Sequence, residues 1–139
     1  MATIKRNVVR DVVSLDAGTP CRDAAKLMAQ KRIGAVAVKR GGSIVGLVSE
    51  RDLILKCLGT GGTCEVPIGE AMRQDLPRID AHASESECAH LMRDCYTRHL
   101  LVEEDGEIAG IISMRDVIVL MLDEKQFLID QLNVYISGR

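Results

Sequence analysis

A chain of 139 residues holds one compact domain or two intimately packed halves. Apolar residues reach 47% and charged ones 27%, which supports a core, and a net charge of −2 exerts no general pull on nucleic acid or anionic membrane. Aromatic residues make up only 2%, which excludes base stacking on aromatic platforms, and no apolar run approaches the ~18 residues of a membrane span. Cys21, Cys57, Cys64, Cys88 and Cys95 are odd in number and form no CxxC, and residues 1–10 lack the apolar stretch of a secretory leader. The expectation is a reducing cytoplasm.

Read in chain order, the elements come twice. A short strand is expected over Val12–Leu15, followed by a helix that starts at Thr19-Pro20 and buries Ala24, Leu27 and Met28. A hairpin then pairs Ala35–Val38 with Ile44–Val48 around Gly41-Gly42, and a second helix starts at Glu50. Leu58–Thr63 reads as a flexible linker; it lacks the Gly-Lys-Ser/Thr ending of a phosphate-binding loop. Val66–Met72 reads as a short lead-in helix for the second copy.

That copy repeats the order: a strand at Leu76–Ile79, a helix opened by Ser84 and Glu87, then a hairpin of Leu100–Val102 with Ile108–Ile112 around Asp105-Gly106. Sliding the chain by 64 residues aligns 15–55 on 79–119 without gaps, with 13 identities in 41 positions. Each copy reads β-α-β-β-α, giving a mixed α/β (α+β) fold of two similar halves.

The aligned segments Gly46-Leu47-Val48-Ser49-Glu50-Arg51-Asp52 and Gly110-Ile111-Ile112-Ser113-Met114-Arg115-Asp116 are the most specific feature of the repeat. They resemble the Gly-apolar-x-Ser/Thr-x-x-Asp pattern of cystathionine-β-synthase (CBS) motifs, and the resemblance covers nearly the whole chain. It departs from the family at Ala37 and Leu101, where a proline often stands. The resemblance implies a stand-alone tandem pair, a Bateman module, whose two motifs pack by pseudo-two-fold symmetry. The expected boundaries are motif 1 at 1–63, motif 2 at 64–122 and a helical extension at 123–139.

The resemblance also implies a regulatory module, not an enzyme, that binds an adenine nucleotide in the clefts between its motifs. AMP, ADP, ATP and NAD(H) are the implied ligands, with S-adenosylmethionine or a ligand-free scaffold as alternatives. Carried over, Ser113 and Asp116 pair with Val13, Ser14, Ile33, Gly34 and Ala35 of the other copy, and Ser49 and Asp52 with Pro77, Arg78, Thr97, Arg98 and His99. A carboxylate suits a ribose diol because it accepts two hydrogen bonds and donates none. Arg51 and Arg115 sit in a first helical turn, against the usual dipole preference, which a phosphate partner would rationalise. Because Arg98-His99 replaces Gly34-Ala35, the phosphate is expected on the basic side.

Each functional reading has a plainer counterpart. Ser-x-x-Asp is also a capping box, and the two roles are compatible. A zinc site from Cys88, Cys95 and His99 matches no common spacing. Lys39-Arg40 and Glu103-Glu104-Asp105 at the hairpin tips are either solvated or meet across a dimer. The tail from Met114 is expected to be helical, with a break near Leu122–Glu124 possible. Its apolar stripe at Phe127, Leu128, Leu132, Tyr135 and Ile136 points to a homodimer. Neither nucleic acid nor membrane is an expected partner, and a downstream protein is left unnamed.

Overall fold

The computed structural model describes residues 3–138, and these form two units. The first runs from Arg10 to Pro77; the second joins the chain through Val9 to the chain from Arg78 onward. In the first unit, β1 (Ser14–Asp16) leads into α1 (Cys21–Lys31), the hairpin β2 (Ala35–Arg40) and β3 (Ser43–Ser49), and then α2 (Glu50–Leu53). The helix goes on as a π-helical turn over Ile54–Leu58, and α3 (Ile68–Ala71) ends the unit. The second unit repeats this as β4 (Arg78–Asp80), α4 (Glu85–Asp94), β5 (His99–Glu104), β6 (Glu107–Ser113) and α5 (Met114–Gly138). A 3-10 turn over Ile4–Asn7 precedes them.

Each sheet has three strands, in the orders β1-β2-β3 and β4-β5-β6. The first pair is parallel, spanned by a helix, and the second antiparallel, closed by a tight turn. The turns carry positive φ at Gly41 (61°), Gly42 (82°), Asp105 (54°) and Gly106 (80°), the two-residue geometry whose twist matches that of the flanking strands. Both hairpins also slip register at the same place, after Val38 and after Val102. The middle strands are buried on both faces over Ala35–Val38 and Leu100–Val102, which is why they read as unbroken apolar runs. Thr19 does not cap α1, since Pro20 takes the cap position and no side chain bonds there.

Each lead-in segment packs into the core of the other copy. Ile4 and Val8 belong to the second core, with Met92, Leu100, Ile112, Val117 and Leu120. Ile68, Ala71 and Met72 belong to the first, with Met28, Val36, Val38 and Val48. The segment assigned to motif 1 thus packs with motif 2, and the one opening motif 2 packs with motif 1. A four-residue helix is too short to hold itself in water, so it forms only where an apolar face is offered. The motif glycines make room for it. Gly110 lies against the backbone of Val9, which bonds reciprocally with Ile111 (2.9 and 3.1 Å), and Gly46 lies under the Met72 side chain.

The C-terminal helix runs unbroken for 25 residues, so the possible break at Leu122–Glu124 does not occur. Asp123, Glu124, Lys125 and Gln126 are polar but tolerate helix, so polarity alone does not end one there. No helix among the described residues is long and apolar enough to cross a membrane.

Two thiols are locked in the cores. Burial pushes Cys21 up to about 12, with its hydrogen bond to Cys57 adding to the rise, and burial pushes Cys88 up to about 11. A thiol whose folded pKa exceeds its unfolded value of 9.0 keeps its proton while the unfolded chain loses it. Stability is therefore expected to be flat below about pH 9 and to fall as pH rises toward 11 and 12, by a few kcal/mol in urea titrations. Iodoacetamide at pH 8 should modify the half-buried Cys64 and Cys95 first; prior labelling of Cys21 or Cys88, seen by peptide mass spectrometry, would contradict this.

Candidate functional site

The candidate site rests on the junction where the last strand of each copy turns into its second helix. In the first unit, the Ser49 N–H donates to Asp52 Oδ2 at 2.9 Å and the Asp52 N–H donates to Ser49 Oγ at 3.2 Å. In the second, the Ser113 N–H donates to Asp116 Oδ2 at 2.9 Å and the Asp116 N–H to Ser113 Oγ at 3.2 Å. Ser113 Oγ–H adds a third bond to this box, the second to Asp116 Oδ2, at 2.8 Å. Both boxes are therefore complete caps, and the plainer reading of these residues holds in both copies. Capping occupies one carboxylate oxygen only. Among the described residues Oδ1 of each aspartate takes no hydrogen bond, so each keeps an uncommitted acceptor beside a helix N-terminus.

Hairpin register decides what stands beside each box. Ala35 pairs with Ser49 and His99 with Ser113, so the end of the third strand faces the head of the second. The Glu50 N–H donates to the Gly34 carbonyl at 2.9 Å, and the Met114 N–H to the Arg98 carbonyl at 2.7 Å. Ile33, Gly34 and Ala35 therefore gather beside Ser49 and Asp52, and Thr97, Arg98 and His99 beside Ser113 and Asp116. The resemblance had grouped each box with the strand heads of the other copy. The same-copy neighbours follow from the hairpin alone, since a two-residue turn at Gly41-Gly42 fixes which ends meet.

The remaining residues take simpler places. Val13 precedes β1 and its carbonyl accepts the Ala37 N–H at 2.9 Å, while Ser14 opens that strand. Pro77 precedes β4, and Arg78 opens it with its guanidinium 3.1 Å from Glu103. Glu104 lies 3.5 Å from Lys5, so the acidic hairpin tip finds cationic partners within its own unit. Thr97 holds the strand head, its hydroxyl donating to the His99 carbonyl at 2.9 Å. Arg51, Arg98 and Arg115 are exposed and make no ion pair among the described residues, which leaves three guanidinium groups near the two boxes for an anion.

Two further residues escaped the sequence reading. Arg32 (φ 54°) and Tyr96 (φ 52°) take the left-handed conformation at the end of α1 and α4, immediately before Ile33-Gly34 and Thr97-Arg98. A non-glycine residue there is costly, and helices that end without a glycine are the signal that could have marked the spot. In the first unit a cavity of about 590 Å³ opens behind this turn, lined by Met28, Ile33, Gly34, Leu53 and Cys57 among others. No group of three or more His, Cys, Asp or Glu among the described residues is placed to hold a metal ion.

Comparison with known proteins agrees with this architecture. The family model described as "CBS domain" matches residues 4–59 and 68–123, the same 64-residue offset as the internal repeat. The CBS domain-containing protein YhcV of Bacillus subtilis is 25% identical over 119 residues, covering 86% of this chain and 85% of that protein. The solved structure of a candidate signal-transduction protein with CBS domains from Burkholderia ambifaria superposes with a TM-score of 0.81 at 29% identity. That match covers 88% of this chain and 95% of the other. The CBS-domain containing protein ATU1752 of Agrobacterium tumefaciens gives 0.76 at 32% identity, covering 85% and 92%. The chain belongs to the CBS-domain family, and carries two CBS domains in tandem.

Proposed function

We propose that this tandem pair is a regulatory module, without catalysis of its own, that binds an adenine nucleotide: AMP, ADP, ATP or NAD(H). The observation that carries the reading is the duplicated box, with one carboxylate oxygen of Asp52 and of Asp116 left uncommitted beside a helix start. A ribose diol would bond to that carboxylate, and Arg51, Arg98 and Arg115 supply cations for the phosphates. Ser49 and Ser113 orient the carboxylates through their caps, and the backbone of Val13, Ser14, Ile33, Gly34, Ala35, Pro77, Thr97 and His99 frames the base. Arg78 is the weakest member, since Glu103 already holds it. The proposed setting is cytoplasmic, as a homodimer read by a further protein. The name of the Burkholderia protein, a candidate signal-transduction protein with CBS domains, supports a signalling role.

Asparagine at the two boxes separates cap from ligand. Its amide oxygen can still accept the N–H of Ser49 or Ser113 and close the box, but its amide nitrogen offers a donor where a diol needs an acceptor. Asp52→Asn and Asp116→Asn should keep the thermal midpoint and each weaken nucleotide binding by about 1.5–3 kcal/mol in calorimetric titrations with AMP, ATP and NAD. Unaltered titrations for both variants would remove the site. A wild-type chain whose midpoint none of these ligands raises would instead favour the ligand-free scaffold.

A further inference from the structure

The C-terminal half of α5 leaves a face that its own unit does not use. Val117 and Leu120 are buried, but Leu122, Leu128 and Leu132 are 60%, 60% and 59% exposed, and Tyr135 and Ile136 reach 83% and 74%. The exposed apolar residues are not scattered. Ile118, Met121, Lys125, Leu128, Leu132 and Tyr135 follow one another at alternating steps of three and four residues, and Leu122, Ile129 and Ile136 flank them one step on. This is the heptad seam of a coiled coil, with one lysine in it. The opposite face carries Asp123, Gln126, Asp130, Asn133 and Ser137, where Gln126 bonds Asp130 at 2.9 Å and Ser137 bonds the Asn133 carbonyl at 2.6 Å. Phe127 and Val134 lie off the seam on its flank.

We infer that residues 118–136 pair with the same segment of a second copy as an antiparallel two-stranded coiled coil. The inference rests on the homodimer reading and names the element and the direction. The seam is complementary to itself when reversed: Ile118 meets Tyr135 of the partner subunit, Met121 meets Leu132 of the partner subunit, and Lys125 meets Leu128 of the partner subunit. Every layer is filled in this register. A parallel pair would instead set Lys125 against Lys125 of the partner subunit in an apolar layer, bringing two ammonium groups together away from water. In the reversed register each lysine stem packs on a leucine and its charge reaches the edge.

The two helices would bury on the order of 600 Å² per chain, close to the roughly 800 Å² per partner of a standard interface. A lipid surface fits less well, because the polar face carries Asp123 and Asp130, and the only lysine lies in the seam.

Light scattering on the full chain during gel filtration tests this. The wild type should run as a dimer, and Leu128→Glu/Leu132→Glu should weaken dimerisation about 100-fold or more, with an unchanged far-ultraviolet spectrum, since buried unpaired carboxylates are costly. For direction, Ile118→Cys and Tyr135→Cys chains are mixed, oxidised and mapped by peptide mass spectrometry. A link between positions 118 and 135 is expected, and links of 118 to 118 would overturn the antiparallel arrangement. A double variant that stays dimeric sinks the seam and leaves the dimer standing, whereas a monomeric wild type sinks both. Binding of a monomer to phosphatidylserine vesicles would assign the face to lipid and overturn the inference.

Discussion

Gly110→Ala is expected to destabilise the chain by about 3 kcal/mol, a large loss for one methyl group. A methyl on Gly110 would collide with the backbone carbonyl of Val9 and come within 2.9 Å of Val8 Cγ1. Backbone held in a reciprocal pair with Ile111 has nowhere to go. The repeat supplies its own control. At Gly46 the added methyl would meet only the Met72 side chain, 2.8 Å from its sulfur, and a thioether swings aside cheaply. Gly46→Ala should therefore cost about 1 kcal/mol, within the low end for overpacking. Urea unfolding of the two variants measures the difference. Equal losses would mean that the segment before Arg10 does not press on Gly110, and that the glycine is retained for another reason.

Removing the side chains that anchor the lead-ins should cost comparably. Ile4 and Ile68 are 0% exposed, equivalent by the 64-residue offset, and each enters the core of the copy it does not belong to. Cutting a fully buried isoleucine to alanine loses both transfer energy and packing, about 2–5 kcal/mol. The location of the damage is more telling than its size. Backbone bonds tie Ile4 to Ala83 at 2.9 Å and Ile68 to Thr19 at 2.9 Å. Hydrogen exchange should therefore show Ile4→Ala loosening β5 and β6 (His99–Ser113), and Ile68→Ala loosening β2 and β3 (Ala35–Ser49). If each substitution loosened its own copy instead, the division of the chain into these two units would be wrong.

The candidate site was legible in part. Ser49, Asp52, Ser113 and Asp116 stand out because the same spacing recurs at one offset, and the geometry gives all four the capping role that spacing alone implies. Their neighbours were harder to place. The family resemblance suggested the strand heads of the opposite copy, while hairpin register puts Gly34 and Arg98 beside the boxes of their own. Arg78 was grouped with Ser49 and Asp52, and the structure sets Glu103 beside it across the parallel pair β4–β5. Charge partners between strands depend on register, which a list of charged residues does not contain.

By itself the sequence determined the duplication, the order of elements in each copy, both tight turns and the two boxes, because each depends on residues near one another in the chain. Tertiary structure alone decided which copy each lead-in serves, since a four-residue turn with no intrinsic stability folds only against the surface that accepts its apolar side chains. The continuation of α5 past Leu122 was legible by contrast, because its residues are exposed and the helix there rests on local propensity. For the lead-ins the reason is that packing free energy comes from surfaces that meet in space, and the chain order does not say which surfaces will meet.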